Sequence, residues 1–340
     1  MKKLIFFGGL LLLSCATSQK SMEVNPSTYA SSITSDELKE HLYTYASDEF
    51  MGREAGTAGE IIAINYLKDQ YKALDLKGGM PDGTYFMPMT LNAPRENKKI
   101  DAKNVLVFIE GSEKPNEVLV ITAHLDHIGV EADGQINNGA DDDGSGTVAM
   151  LEIAEAFQLA VRQGHKPKRS ILFLHVTGEE KGLLGSKYYT DNPIYPLENT
   201  VANLNIDMIG RIDELHKDNA NYMYLIGSDI LSQDLHDVSE AMNQQYVNLE
   251  LDYRYNDPTT KVFERGRFIE NRYYYRSDHY NFAKSDIPVI FYFNGTHADY
   301  HAPTDTVEKI EYALLEKRTR LIFYTAWEIA NREDRLRLKE

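Results

Sequence analysis

Five short stretches of this 340-residue chain gather the residue types that carry metal and proton chemistry. They are His124-Leu125-Asp126, the acidic loop Asp141-Asp142-Asp143 with Gly144-Ser145-Gly146 after it, the pair Glu179-Glu180, Asp207, and Tyr300-His301-Ala302-Pro303. Two imidazoles with three or four carboxylates and no thiolate make a donor set suited to a hard-to-borderline divalent ion such as zinc. Two such ions sharing a bridging carboxylate can polarise a carbonyl and hold hydroxide near neutral pH. One further carboxylate, outside the ligand set, must then take the proton from water and pass it to a leaving amine, and adjacent Glu179 and Glu180 can divide those tasks. Singly each of these residues is weak evidence, because a lone His or Asp more often caps a loop or lies at the surface.

The weight lies in where they sit. Short apolar, β-branched runs recur at Val105–Ile109, Val118–Thr122, Ile171–Val176, Leu204–Ile206 and Val289–Phe293, the pattern of strands buried on both faces. The second ends at His124, the third at Glu179-Glu180, the fourth at Asp207, and the fifth leads to His301. Ligands in open α/β sheets bind beyond the carboxyl ends of strands, so these runs carry the candidate residues to one edge. Helices are predicted between them. Thr34 with Glu37 and Thr57 with Glu60 read as capping boxes, Ser145–Val161 as a core-facing helix, and Asp305 with Glu308 as the cap of a last helix through Trp327. The expected fold is therefore α/β, a three-layer sandwich with a largely parallel, mixed central sheet flanked by helices. Residues 34–340 read as one catalytic domain, and the polar, Tyr- and Asp-rich stretch 211–275 as an insertion over the active-site face.

The ordered set resembles the co-catalytic zinc aminopeptidases of metallopeptidase family twenty-eight, which also contains glutamate carboxypeptidases. The likeness covers nearly all of residues 34–335, from Met51-Gly52-Arg53-Glu54-Ala55-Gly56 onward. It implies two zinc ions, one held by His124 and Asp207, the other by Glu180 and His301, with Asp142 bridging in D-x-x-S-G. It also implies that Asp126 in H-x-D orients the His124 ring, that Glu179 is the general base acting on a metal-bridging hydroxide, and that Tyr300 hydrogen-bonds the tetrahedral intermediate. The expected activity is removal of N-terminal residues from peptides. Asp141 and Asp143 read as loop-capping residues, and His127, His279 and His297, which match no ligand position, as hydrogen-bonded or solvated histidines. About a dozen residues separate Met89 from the strand at Val105, so no protease-associated domain is inserted there.

Rival readings are a single-zinc acyltransferase like glutaminyl cyclase, a carboxypeptidase of the same family, and a binding protein that keeps the fold without catalysis. The complete two-metal set with its base speaks against the first and third. The carboxypeptidase stays open, since Arg265, Arg267, Arg272 and Arg276 lie in a stretch that supplies no motif. No G-x-S-x-G elbow is present. Paired glycosidase-type acids would leave His124 and His301 without a role.

The net charge of −16 and the 26% charged, 42% hydrophobic composition fit a folded globular chain and argue against nucleic acid as partner. Lys2 and Lys3, the apolar run Leu4 to Leu13 and Leu12-Leu13-Ser14-Cys15 read as a signal peptide over 1–14 that ends in a lipobox-like motif. The single cysteine, Cys15, would then be the lipidated N-terminus, with residues up to 33 as a tether to a membrane of the bacterial envelope. A plain secretory signal with an incidental Cys is the alternative. One cysteine allows no disulfide within the chain.

Overall fold

The computed structural model describes residues 24–93, 97–264 and 267–339; the signal and lipobox readings fall outside them. Eleven strands are present among these residues: β1 Lys77–Gly78, β2 Phe86–Ala93, β3 Lys98–Ile109, β4 Lys114–His124, β5 Arg169–Val176, β6 Thr200–Ile206, β7 Tyr222–Ile226, β8 Glu250–Asp252, β9 Lys261–Glu264, β10 Arg267–Glu270 and β11 Val289–Phe293. The central sheet runs β1-β3-β5-β4-β6-β11-β7-β8, with β2 paired to β3, while β9 and β10 form a separate ribbon. Strands β5, β4, β6 and β11 are mutually parallel; β3 and β7 join them antiparallel on either side.

Both faces of this sheet are covered, which explains the unbroken apolar runs. Successive side chains of a strand point to opposite faces. In β4, Leu119 and Ile121 pack into a core built with helices Ser35–Tyr45, Ala58–Ala73, Gly146–Arg162 and Tyr312–Asn331. Val118 and Val120 pack instead with Tyr189 of helix Leu184–Asp191 and Phe282 of helix His279–Ala283. The result is the expected three-layer α/β sandwich.

Three local expectations give way. Thr34 does cap its helix, accepting from the Glu37 N–H at 3.2 Å. Glu60, by contrast, makes no reciprocal box with Thr57. It is buried, and its carboxylate accepts from Gly56 N–H at 2.6 Å, Lys103 N–H at 3.1 Å and Thr177 Oγ1 at 2.8 Å, tying its helix to β3 and to the end of β5. Nor does Asp305 cap the last helix, which starts only at Tyr312; its carboxylate is taken by the backbone N–H groups of Asp141 and Asp142.

The third departure is larger. Residues 211–275 are not simply an insertion over one face, because β7 and β8 within them extend the central sheet. Strand β7 is Tyr222-Met223-Tyr224-Leu225-Ile226 and is wholly buried. Its tyrosines look half-polar in sequence, but each hydroxyl is satisfied internally: Tyr224 donates to Asp213 Oδ2 at 2.6 Å and Tyr222 to the Asn294 carbonyl. That lets a tyrosine act as a core residue.

Candidate metal and catalytic site

His124 is the last residue of β4, so its backbone is fixed by the ladder while its Nε2 lies 3.2 Å from Asp142 Oδ1 of the acidic loop. The next turn is pinned by buried Arg53, which donates to the carbonyls of Leu125, Asn138 and Gly139 at 3.2, 2.6 and 2.9 Å and so joins the His124 turn to the acidic loop. Asp305 holds that loop from the other side, accepting from Asp141 N–H at 2.9 Å and Asp142 N–H at 3.2 Å. Asp141 and Asp143 act as loop-capping residues. Asp141 accepts from Gly210 N–H and Ser145 Oγ, and Asp143 from the N–H groups of His124, Gly146 and Met208.

This scaffold leaves the Asp142 carboxylate between two groups. Its Oδ1 lies 3.2 Å from His124 Nε2, and its Oδ2 lies 3.1 Å from His301 Nε2. On the first side Asp207 Oδ1 stands 3.6 Å from His124 Nε2. On the second, Glu180 Oε2 stands 3.0 Å from His301 Nε2. The five residues expected to hold metal thus meet in two donor groups that share one carboxylate. Among the described residues, His124 Nε2, Asp142 Oδ2 and Glu180 Oε1 are buried without a hydrogen bond. Buried polar atoms are rarely left in this state unless something else satisfies them, and the imidazole and carboxylate donors fit zinc.

The electrostatics agree. Burial pushes the Glu179 carboxyl well above the usual carboxylate range, with Glu180, Asp207 and Asp278 adding to the effect and His124 opposing it. Burial also takes Asp126 up to about 8. His301 moves to about 10, because Asp142 and Glu180 outweigh a burial that would lower it. So many buried acids in one place call for cations, whose charge reverses this trend.

Glu179 belongs to neither donor group. With Asp142, Asp207 and Tyr300 it lines a narrow pocket of about 30 Å³, walled by Met208, Tyr273, Phe291 and Phe293. Asp126 contributes differently from expectation. The His124 ring is held mainly by the Asp126 backbone carbonyl, 2.9 Å from Nδ1, while the carboxylate is 3.8 Å away and accepts instead from Glu179 N–H at 3.1 Å. Tyr300 stacks on His301 with ring centroids 3.9 Å apart, and Arg276 Nη2 donates to its hydroxyl at 3.4 Å. Burial raises the Tyr300 hydroxyl above its ordinary pKa, so it stays a donor. His297 is hydrogen-bonded, 3.1 Å from Asp141 Oδ2. His279 is buried rather than solvated, stacks on Phe291 and is driven by desolvation to about 3.

Sequence reasoning missed Ser277. Its hydroxyl donates to Asp207 Oδ2 at 2.6 Å and accepts from Asn205 at 2.8 Å, fixing which oxygen of Asp207 faces His124. The signal was the polar Ser277-Asp278 step just ahead of a short helix, with Asp278 buried and accepting from Ser186. A larger cavity of about 550 Å³ lies between helix Ala58–Ala73 and the β2–β3 ribbon. Its lining holds no histidine and none of the acids of the metal groups.

Residues 104–326 match peptidase family M28. The chain belongs to this family. A probable zinc metalloprotease of Pyrenophora teres f. teres is 38% identical over 120 residues, 33% of this chain and 22% of the relative. Leupeptin-inactivating enzyme 1 of Streptomyces exfoliatus is 26% identical over 309 residues, 84% of this chain and 59% of the relative. The chain therefore spans less than two thirds of the length of either. Among solved structures, LapA aminopeptidase of Legionella pneumophila superposes with a TM-score of 0.67 at 20% identity, covering 91% of this chain and 75% of that one. A glutaminyl cyclase of Bacteroides thetaiotaomicron superposes at 0.63 with 19% identity, covering 87% and 98%. At identities this low the superpositions show a shared fold alone. For an M28 peptidase the convergence of His124, Asp142, Glu180, Asp207 and His301 is the feature with chemical consequence.

Proposed function

We propose that this chain is a zinc-dependent exopeptidase that releases N-terminal residues from peptides, using two ions across Asp142 and Glu179 as general base. The observation that carries the reading is the Asp142 carboxylate, whose two oxygens lie 3.2 and 3.1 Å from histidines of different donor groups. His124 and Asp207 would hold one ion and Glu180 and His301 the other. Bound zinc would polarise the scissile carbonyl and lower the pKa of water at the site.

The chain's own residues supply the rest. Glu179, kept in place by the Asp126 contact to its N–H, takes a proton from water and returns it to the departing amine. Tyr300 donates to the oxygen that becomes negative as the carbonyl is attacked. Tyr273, Phe291 and Phe293 wall this narrow pocket, and the acids beside them favour a free α-ammonium over a carboxylate. A single-zinc cyclase-like activity has no use for the second donor group.

One observation favours a second reading. Among the described residues lining the pocket, Arg276 is the cationic one, and a guanidinium there suits a substrate carboxylate, as in a carboxypeptidase. A panel of aminoacyl, N-acetylated and C-amidated peptides, assayed with and without chelator, separates the two. Chelator-sensitive release of the first residue from free-amine peptides only is expected; release of the last residue from N-acetylated peptides would overturn the aminopeptidase assignment. Attachment to a membrane through a lipid on Cys15 completes the reading and rests on Leu12-Leu13-Ser14-Cys15. Cys15→Ala is expected to free the protein from the membrane fraction, and a variant still membrane-bound after signal removal contradicts it.

A further inference from the structure

We propose that His127 is an additional protein donor to the ion at Asp142, Glu180 and His301, so that the two metal positions are unequal. This rests on the two-ion reading above, but His127 is not among the five residues that reading uses.

His127 follows the His124 turn, is 1% exposed, and neither of its ring nitrogens makes a hydrogen bond. Nδ1 lies 2.9 Å from Glu180 Oε1 and 3.8 Å from Asp142 Oδ2, and both of those oxygens also lack hydrogen bonds. His127, Asp142 and Glu180 can each offer an atom to one point. Its ring meets that of His301 edge-on, with centroids 5.7 Å apart. Donors around a tetrahedral zinc, with bonds of about 2.0–2.1 Å, stand roughly 3.3 Å from one another. The separations of 2.9, 3.0, 3.1 and 3.8 Å among His127, Glu180, His301 and Asp142 bracket that value.

The seat for this ring is built in. Gly139 has φ +53°, and a Cβ there would come within 2.5 Å of His127 Cγ and 2.2 Å of the Asp142 carbonyl oxygen. Only glycine lets the acidic loop close against the imidazole in this way.

The consequence is an asymmetry. Asp142, Glu180, His301 and His127 give one position four protein donors, the closed pattern of a structural zinc. His124, Asp142 and Asp207 give the other three, and Asp142 and Asp207 of that set line the pocket. The three-donor position is therefore the one that exchanges ligands during turnover.

The test is stepwise zinc release from the purified protein against increasing chelator, followed by metal analysis, with cobalt absorption spectra of the re-loaded protein. Wild type is expected to lose one ion well before the other. His127→Ala is expected to weaken the tighter position by about tenfold or more and to alter the cobalt spectrum of that ion. Unchanged release and an unchanged spectrum in His127→Ala would overturn the proposal. If that variant does not fold, His127→Gln, which fills the space without an imidazole, carries the same readout. A wild type that takes up only one ion refutes the two-ion reading; the His127 proposal then stands or falls on whether the variant changes the release of that ion.

Discussion

Glu179→Gln is expected to lower kcat by about 10²–10⁴-fold, equivalent to about 3–5 kcal/mol of barrier, with both metals and the fold retained. The side chain lines the pocket beside Asp142, Asp207 and Tyr300 yet belongs to neither donor group, so it can exchange a proton with water without dissociating from an ion. Glutamine keeps the size and removes the basicity. Burial and the neighbouring acids raise the Glu179 pKa, and bound cations would oppose that shift and bring the group toward the range a base needs near neutral pH. The base works only when deprotonated, so kcat/KM of the wild type should fall as pH drops through its apparent pKa. That acid limb should vanish in the variant. Loss of a metal from Glu179→Gln would mean that Glu179 is a ligand and that the two glutamates exchange roles; full activity with both metals would contradict the mechanism.

Asp142→Asn is expected to be more damaging, because one carboxylate serves both donor groups. An amide offers one good acceptor oxygen and no charge. The variant should lose at least one ion, and activity should fall by roughly 10³-fold or more, since metal stabilisation of transition-state charge is worth several kcal/mol. Metal analysis alongside kinetics checks this, and retention of both ions with wild-type rates would show that Asp142 does not bridge. The fold should survive, because the loop is held by Arg53 and by the Asp305 carboxylate acting on backbone groups that the substitution leaves in place.

The fold, Glu179 and three of the five metal-binding candidates were legible for one physical reason. A strand buried on both faces must be apolar throughout, so the first His, Asp or Glu after such a run stands out and lies at the carboxyl edge of the sheet. His124 after β4, Glu179 and Glu180 after β5, and Asp207 after β6 are read this way. What stayed hidden depends on contacts between distant segments. Asp305 has the spacing of a helix cap, but the two N–H groups it serves belong to a loop some 160 residues earlier. Glu60 has the spacing of a capping box and is drawn inward by Thr177 and Lys103. Strand β7 was masked by tyrosines whose polarity is cancelled by partners that only the folded chain supplies. His127 has no motif spacing at all; it matters because Gly139 brings the acidic loop against it.

The central claim is that two ions held across Asp142 serve one peptide-cleaving reaction. Titration of the metal-free protein with zinc, while release of the N-terminal residue from an unblocked peptide is followed, tests it most directly. Activity should rise with added zinc until two equivalents are bound and then level off. Full activity at one equivalent, or activity that needs no metal, would contradict the account.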